Sequence, residues 1–178
     1  MSPLQLIRAT PDNGLFDELM AAWTPQLRQD DAPVEYYTPM LDHARKISGE
    51  HPQDPRYGIF VLVEPNGAGT PAAFEGIVHV NHAWPKLPDA TLRLVWNLIA
   101  PHYQYEEVVP ERIARIMSGF LTEALKLCGN DMPARHVKMY LGNAVDREYA
   151  KVAVGFMELS YPGFSFAVRG NWLHISNA

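Results

Sequence analysis

TLRLVWNLI (residues 91–99), APHYQYEEV (100–108) and VPERIARIMSGFLTEALKLC (109–128) run in succession from a strand, through a short connection, into a long helix. Leu92, Leu94, Trp96 and Leu98 alternate with Arg93, Val95, Asn97 and Ile99, which predicts a strand whose first set shares one face and whose second set shares the other. Val109, Ile113, Ile116, Met117, Phe120, Leu121, Ala124, Leu125 and Cys128 then recur with a helical period over about five turns. Gly129-Asn130 ends that helix.

Upstream, residues 4–9 (LQLIRA) read as a short strand. Thr10 offers a cap and Pro11 a first-turn residue for a helix carrying Leu15, Phe16, Leu19, Met20 and Trp23, bent near its end by Pro25. Tyr36, Tyr37, Met40, Leu41, Ala44 and Ile47 fall on one face of a second helix, ended by the turn-rich GEHPQDPRYG (49–58). Strands are expected at 57–64 (YGIFVLVE) and 73–81 (AFEGIVHVN), joined by the turn PNGAGTP (65–71) and followed by AWPKLPDA (83–90). Downstream come a strand at 136–142, a helix at 144–157, and a hairpin of 164–168 with 171–176 turned at Gly170-Asn171. The order is β, α, α, β, β, β, α, β, α, β, β. It predicts a mixed α/β (α+β) domain over residues 1–178, with antiparallel pairing among the three middle strands.

The 178 residues carry a net charge of −5 and are 47% hydrophobic, which suits one domain with a substantial core. One cysteine excludes an intrachain disulfide framework and a cysteine-built zinc site. No apolar run approaches the length of a membrane span, the longest being Ile59-Phe60-Val61-Leu62-Val63. MSPLQLIRATPD has no basic start followed by an apolar block, so a cytoplasmic location is expected. The acidic balance speaks against nucleic acid as a partner. No phosphate-binding loop, dinucleotide fingerprint or nucleophile elbow is present, and Ser118 and Ser160 stand in no hydrolase context. Cys128 is in phase with the apolar face of its helix and reads as a small core residue.

The element order resembles the GNAT (general N-acetyltransferase) superfamily over nearly the whole chain. Local likenesses are Asn143 before a helix, Gly155-Phe156 closing that helix, the aromatic strand Phe164-Ser165-Phe166, and Leu98-Ile99-Ala100-Pro101 leading toward the long helix. The resemblance implies a mostly antiparallel central sheet with about four helices. It also implies a V-shaped splay between the fourth and fifth strands that holds the pantetheine arm of acetyl-CoA or another acyl-CoA. Leu98, Ile99 and Ala100 would pair with that arm, Asn143 would lie beside it, and Arg112 and Arg115 would stand near the pyrophosphate. The family's loop is Arg/Gln-x-x-Gly-x-Gly/Ala, whereas no glycine occurs here between Gly76 and Gly119, and Arg115 and Met117 stand where glycines belong. Glu106, Glu107 and Glu111 crowd the same segment and oppose a phosphate.

His79-Val80-Asn81-His82 is the densest polar cluster. On a strand, residues three apart point to opposite faces, so a shared metal is not expected. His79 and Asn81 should share a face with Glu75 and Ile77, with His82 on the other. As general base for an acceptor amine the candidates are His79, or Glu75 acting through water. Tyr149 is the candidate acid for the leaving thiolate, although counting back from Gly155 puts the family's usual tyrosine at Lys151. Tyr36, Tyr37, Asn81, His82 and Tyr103 are the candidate acceptor-binding residues. The expected function is acyl transfer from an acyl-CoA to the amine of a small molecule or peptide. The alternative is a GNAT-like ligand-binding or protein-interaction module that has lost coenzyme A. The terminal hairpin, with Phe164, Phe166 and Trp172, either packs across a homodimer interface or covers the sheet.

Overall fold

A computed structural model describes residues 3–65, 72–83, 89–107 and 110–177. Val109 and most of the turns read at 65–71 and 83–90 therefore lie outside the described residues. The elements are β1 (Gln5–Arg8), α1 (Leu15–Leu27), α2 (Val34–Glu50), β2 (Tyr57–Glu64), β3 (Ala73–Ala83), β4 (Thr91–Ile99), α3 (Pro110–Gly129), β5 (His136–Tyr140), α4 (Ala144–Ser160), β6 (Phe164–Arg169) and β7 (Trp172–Asn177). They build one mixed, mostly antiparallel sheet in the order β1-β2-β3-β4-β5-β7-β6, flanked by four helices, consistent with the GNAT-like architecture expected. The only parallel pair among the described residues is β4–β5.

Each face of the sheet carries its own apolar layer. On one, Phe120, Leu121, Ile116 and Ala124 of α3 and Ala150, Ala153 and Met157 of α4 pack on Leu62, Val78, Leu92 and Leu94. On the other, Trp23 and Leu19 of α1 and Tyr37, Leu41 and Ala44 of α2 pack on Ile59, Val61, Ile77 and Leu98. α3 approaches β3 so closely that a Cβ on Gly76 would lie 2.6 Å from Phe120 Cζ and 2.8 Å from the Leu98 carbonyl oxygen. Only glycine allows that contact.

Four expectations change. Leu92 and Leu94 pack in the α3/α4 layer, while Leu98 packs in the α1/α2 layer, joined there by Trp96. The four do not share a face, because His79 pairs with Trp96 while Val80 pairs with Leu94, leaving Val95 as an extra residue in a bulge. Likewise Leu62 pairs with Gly76 and Val63 with Phe74, so Glu75 is bulged out of step with Ile77 and His79. Gly155-Phe156 does not close α4. The helix continues to Ser160 because Met157 remains on the buried face, 2% exposed. At the chain start, Thr10 caps a single 3-10 turn (Pro11–Asn13), and α1 begins only after Gly14 at φ 64°.

Candidate functional site

β4 and β5 pair only from Thr91 with His136 to Leu94 with Met139. Beyond those four pairs β4 continues to Ile99, whereas the chain after β5 turns off into α4. The wedge between them is a cavity of about 400 Å³. Asn97, Leu98 and Ile99 of β4, Tyr36 and Tyr37 of α2, Tyr103 before α3, and Asn143 and Tyr149 at the start of α4 line it. Its lining draws on both layers, α2 on one side of the sheet and α3 and α4 on the other.

The bulge at Val95 sets which backbone groups face the wedge. Ala100 N–H donates to the Glu75 carbonyl on β3, and two-residue alternation puts Leu98 toward β3 as well. Asn97 and Ile99 are therefore the residues whose peptide groups face the open edge, in place of the expected Leu98 and Ala100. Ile99 already has a partner there: the Tyr37 hydroxyl donates to its carbonyl at 2.7 Å. Burial pushes the pKa of that fully enclosed phenol upward, so it stays a donor.

Arg112 and Arg115 do not face an empty phosphate site. Arg112 Nη2 pairs with Glu75 Oε1 at 2.7 Å and Glu64 Oε2 at 3.0 Å, while Arg115 Nη2 pairs with Glu64 Oε1 at 2.7 Å. The Tyr103 hydroxyl donates to Glu75 Oε2 at 2.6 Å and accepts from Arg112 Nε at 2.9 Å. Burial lowers the Arg112 pKa, but the Tyr103 hydrogen bond and the two carboxylates more than reverse this. Burial and the Glu75 carboxylate raise Tyr103 to about 12. Hydrogen bonding from Arg115 outweighs burial and holds Glu64 below the usual carboxylate range. Glu75, 3% exposed, thus reaches the wedge only through Tyr103.

Among the described residues of the connection before α3, the backbone N–H groups of His102, Tyr103, Tyr105 and Glu106 are held within the protein. Tyr103 N–H donates to the Ala100 carbonyl, and the N–H groups of Tyr105 and Glu106 both donate to that of His102. His102 N–H donates to Gln26 Oε1 at 3.1 Å. Asn143 lines the wedge, but its side chain caps α4, Oδ1 accepting from Asp146 N–H at 2.9 Å.

The remaining candidates lie elsewhere. β3 runs antiparallel to β4, so Asn81 and His82 stand beside Arg93 and Leu92, at the zipped end of the β4–β5 pair. Asn81 Oδ1 accepts from Arg93 Nε at 2.8 Å. His79 sits on the α1/α2 side against His43 of α2 and Trp96, across the sheet from the Arg112 pairing of Glu75. The faces of His79 and Glu75 were misread because the Glu75 bulge is invisible to alternation. Asn97, Gln104, Ile113, Met117, Val145, Asp146 and Glu64 were not singled out from sequence. For Asn97 a signal existed, an amide in the middle of an otherwise apolar strand half.

His79 carries a pH signature. Its Nε2 is buried with no hydrogen-bond partner among the described residues, and burial, then nearby His43, depress its pKa from 6.5 to about 4. The unfolded chain takes up this proton first on acidification, so stability falls as pH drops from 6.5 towards 4. Calorimetric scans across that range are expected to show a smaller loss in His79→Phe than in the parent chain.

Among the described residues no group of three or more His, Cys, Asp or Glu side chains is placed to hold a metal, and no helix is long and apolar enough to cross a membrane. No known family's sequence model matches the chain, and no curated protein matches it. Among solved structures it is similar to one described as "putative acetyltransferase from Sphaerobacter thermophilus DSM 20745". That likeness spans 97% of this chain and 90% of the other at 14% identity, with a TM-score of 0.41.

Proposed function

We propose that the chain transfers an acyl group from the thioester of a coenzyme A-type donor to an amine of a small molecule or peptide. The observation that carries this reading is the parting of β4 from β5 after four residue pairs, around a cavity whose edge is strand backbone. An extended arm bearing amides fits such an edge, as an added strand would. Asn97 and Ile99 would hold the arm. The acceptor would arrive from the side of Tyr36 and Tyr37, which burial and, at Tyr36, the Asp146 carboxylate keep protonated.

The amine nitrogen attacks the thioester carbonyl carbon. The N–C bond forms, the C–S bond breaks, and its electron pair leaves on sulfur. Tyr149 donates the proton that the sulfur requires. The proton lost by the amine passes to the Tyr103 oxygen as Tyr103 hands its own to Glu75, a route supported by the 2.6 Å contact. This gives Glu75 the base role without direct exposure, and makes it a better placed base than His79.

Incubation with acetyl-CoA and a panel of primary amines, read by mass spectrometry, tests the reading. Acetylated amine is expected, and failure of the protein to bind acetyl-CoA at millimolar concentration would end it. Tyr149→Phe is expected to lower kcat about a hundredfold with KM little changed. Coenzyme A release that continues undiminished when the amine is omitted would assign the turnover to hydrolysis.

A second reading, a non-catalytic ligand-binding module of the same fold, is favoured by the closed 101–106 segment, whose amides are already partnered.

A further inference from the structure

We infer that the donor is gripped by its pantetheine arm alone and that its diphosphate end gains no affinity from this chain. The inference rests on the acyl-donor reading above and specifies what that site recognises.

A diphosphate is held by free N–H groups, by glycines that let backbone come close, and by cations. Apart from the first-turn N–H groups of α3, beside which the exposed Glu111 stands, each is accounted for otherwise among the described residues. The N–H groups of His102, Tyr103, Tyr105 and Glu106 donate within the protein. No glycine lies between Gly76 and Gly119. The two arginines of the first turns of α3 are bound to Glu64 and Glu75, whose side chains are only 14% and 4% exposed. Releasing Arg112 to a phosphate would leave the buried Glu75 carboxylate without its cation, and releasing Arg115 would take from Glu64 one of its two, which opposes either exchange. Glu106, Glu107 and Glu111 are all exposed on the approach to α3. They repel an anion over a distance that salt shortens.

The arm meets the opposite situation. The wedge is lined by strand backbone, tyrosines and the apolar side chains of Ile113 and Met117, a surface for a neutral, extended, amide-bearing chain.

Titration calorimetry of the full chain with acetyl-CoA, S-acetylpantetheine and adenosine 3′,5′-bisphosphate, at low and high sodium chloride, separates the outcomes. The expected result is that acetyl-CoA and S-acetylpantetheine bind within about threefold of each other, that the bisphosphate does not bind, and that salt leaves acetyl-CoA affinity level or strengthens it. Glu106→Gln/Glu107→Gln should then tighten acetyl-CoA severalfold and leave S-acetylpantetheine unchanged. Acetyl-CoA binding more than about tenfold tighter than S-acetylpantetheine, and weakening as salt rises, would overturn the inference while the acyltransferase reading stands. Binding of neither thioester removes that reading and the inference together.

Discussion

Arg112→Ala is expected to lower the unfolding midpoint by roughly 10 °C, from a loss of about 3–5 kcal/mol in a chain of this size. Arg112 bridges Glu64 and Glu75 and donates to Tyr103, so its removal leaves the Glu75 carboxylate, 4% exposed, with only the phenol for company. An unpaired buried charge is far costlier than an absent pair. Arg112→Ala with Glu75→Gln should therefore regain much of the loss, a recovery that a merely steric role for Arg112 would not produce. In the parent, Glu64 is held below the usual carboxylate range, first by Arg115, so its stabilising contribution is present above that range and lost on acidification. Thermal unfolding at several pH values reads all of this. A midpoint change below about 2 °C for Arg112→Ala would refute the assignment of the network as structural.

Asn97→Trp should abolish binding of acetyl-CoA and S-acetylpantetheine alike, by more than about a hundredfold or some 2.7 kcal/mol, with little change in unfolding temperature. Asn97 pairs with Val78, so its side chain points to the α3/α4 side, where the wedge lies between Ile113, Met117 and Tyr149. An indole there fills the path the arm would take, in a half-buried position with open space beside it. Asn97→Ala, which leaves the path clear, is the control and should bind nearly as the parent does. Undiminished binding by Asn97→Trp would place the ligand outside the wedge.

Much of the element order was legible because strong periodicity was confirmed by strong punctuation. β2 and β4 match their expected limits residue for residue, and α3 begins and ends within one residue of its reading, between Pro110 and Gly129. What alternation could not convey was a single added residue. Val95 and Glu75 each shift the count of their strand by one, so every side chain beyond them changes sides. The site suffered most, since both bulges border it. Tyr36, Tyr37, Leu98, Ile99, Tyr103, Asn143 and Tyr149 do line the wedge, drawn from the family resemblance and from local position. Asn81 and His82 looked like site residues because polar clustering was read without knowing which end of β3 meets the zipped strands. The partnership of Arg112 and Arg115 with Glu64 and Glu75 spans 37 to 51 residues, and no local pattern encodes it.

Among the described residues, the first four strands of the sheet are joined to the last three by the short parallel contact of β4 with β5. A guest seated in the wedge would act as a splint across that joint, touching both halves at once. Recognition and rigidity are then linked: whatever fits there adds contacts across a joint that the shared α3/α4 layer also holds.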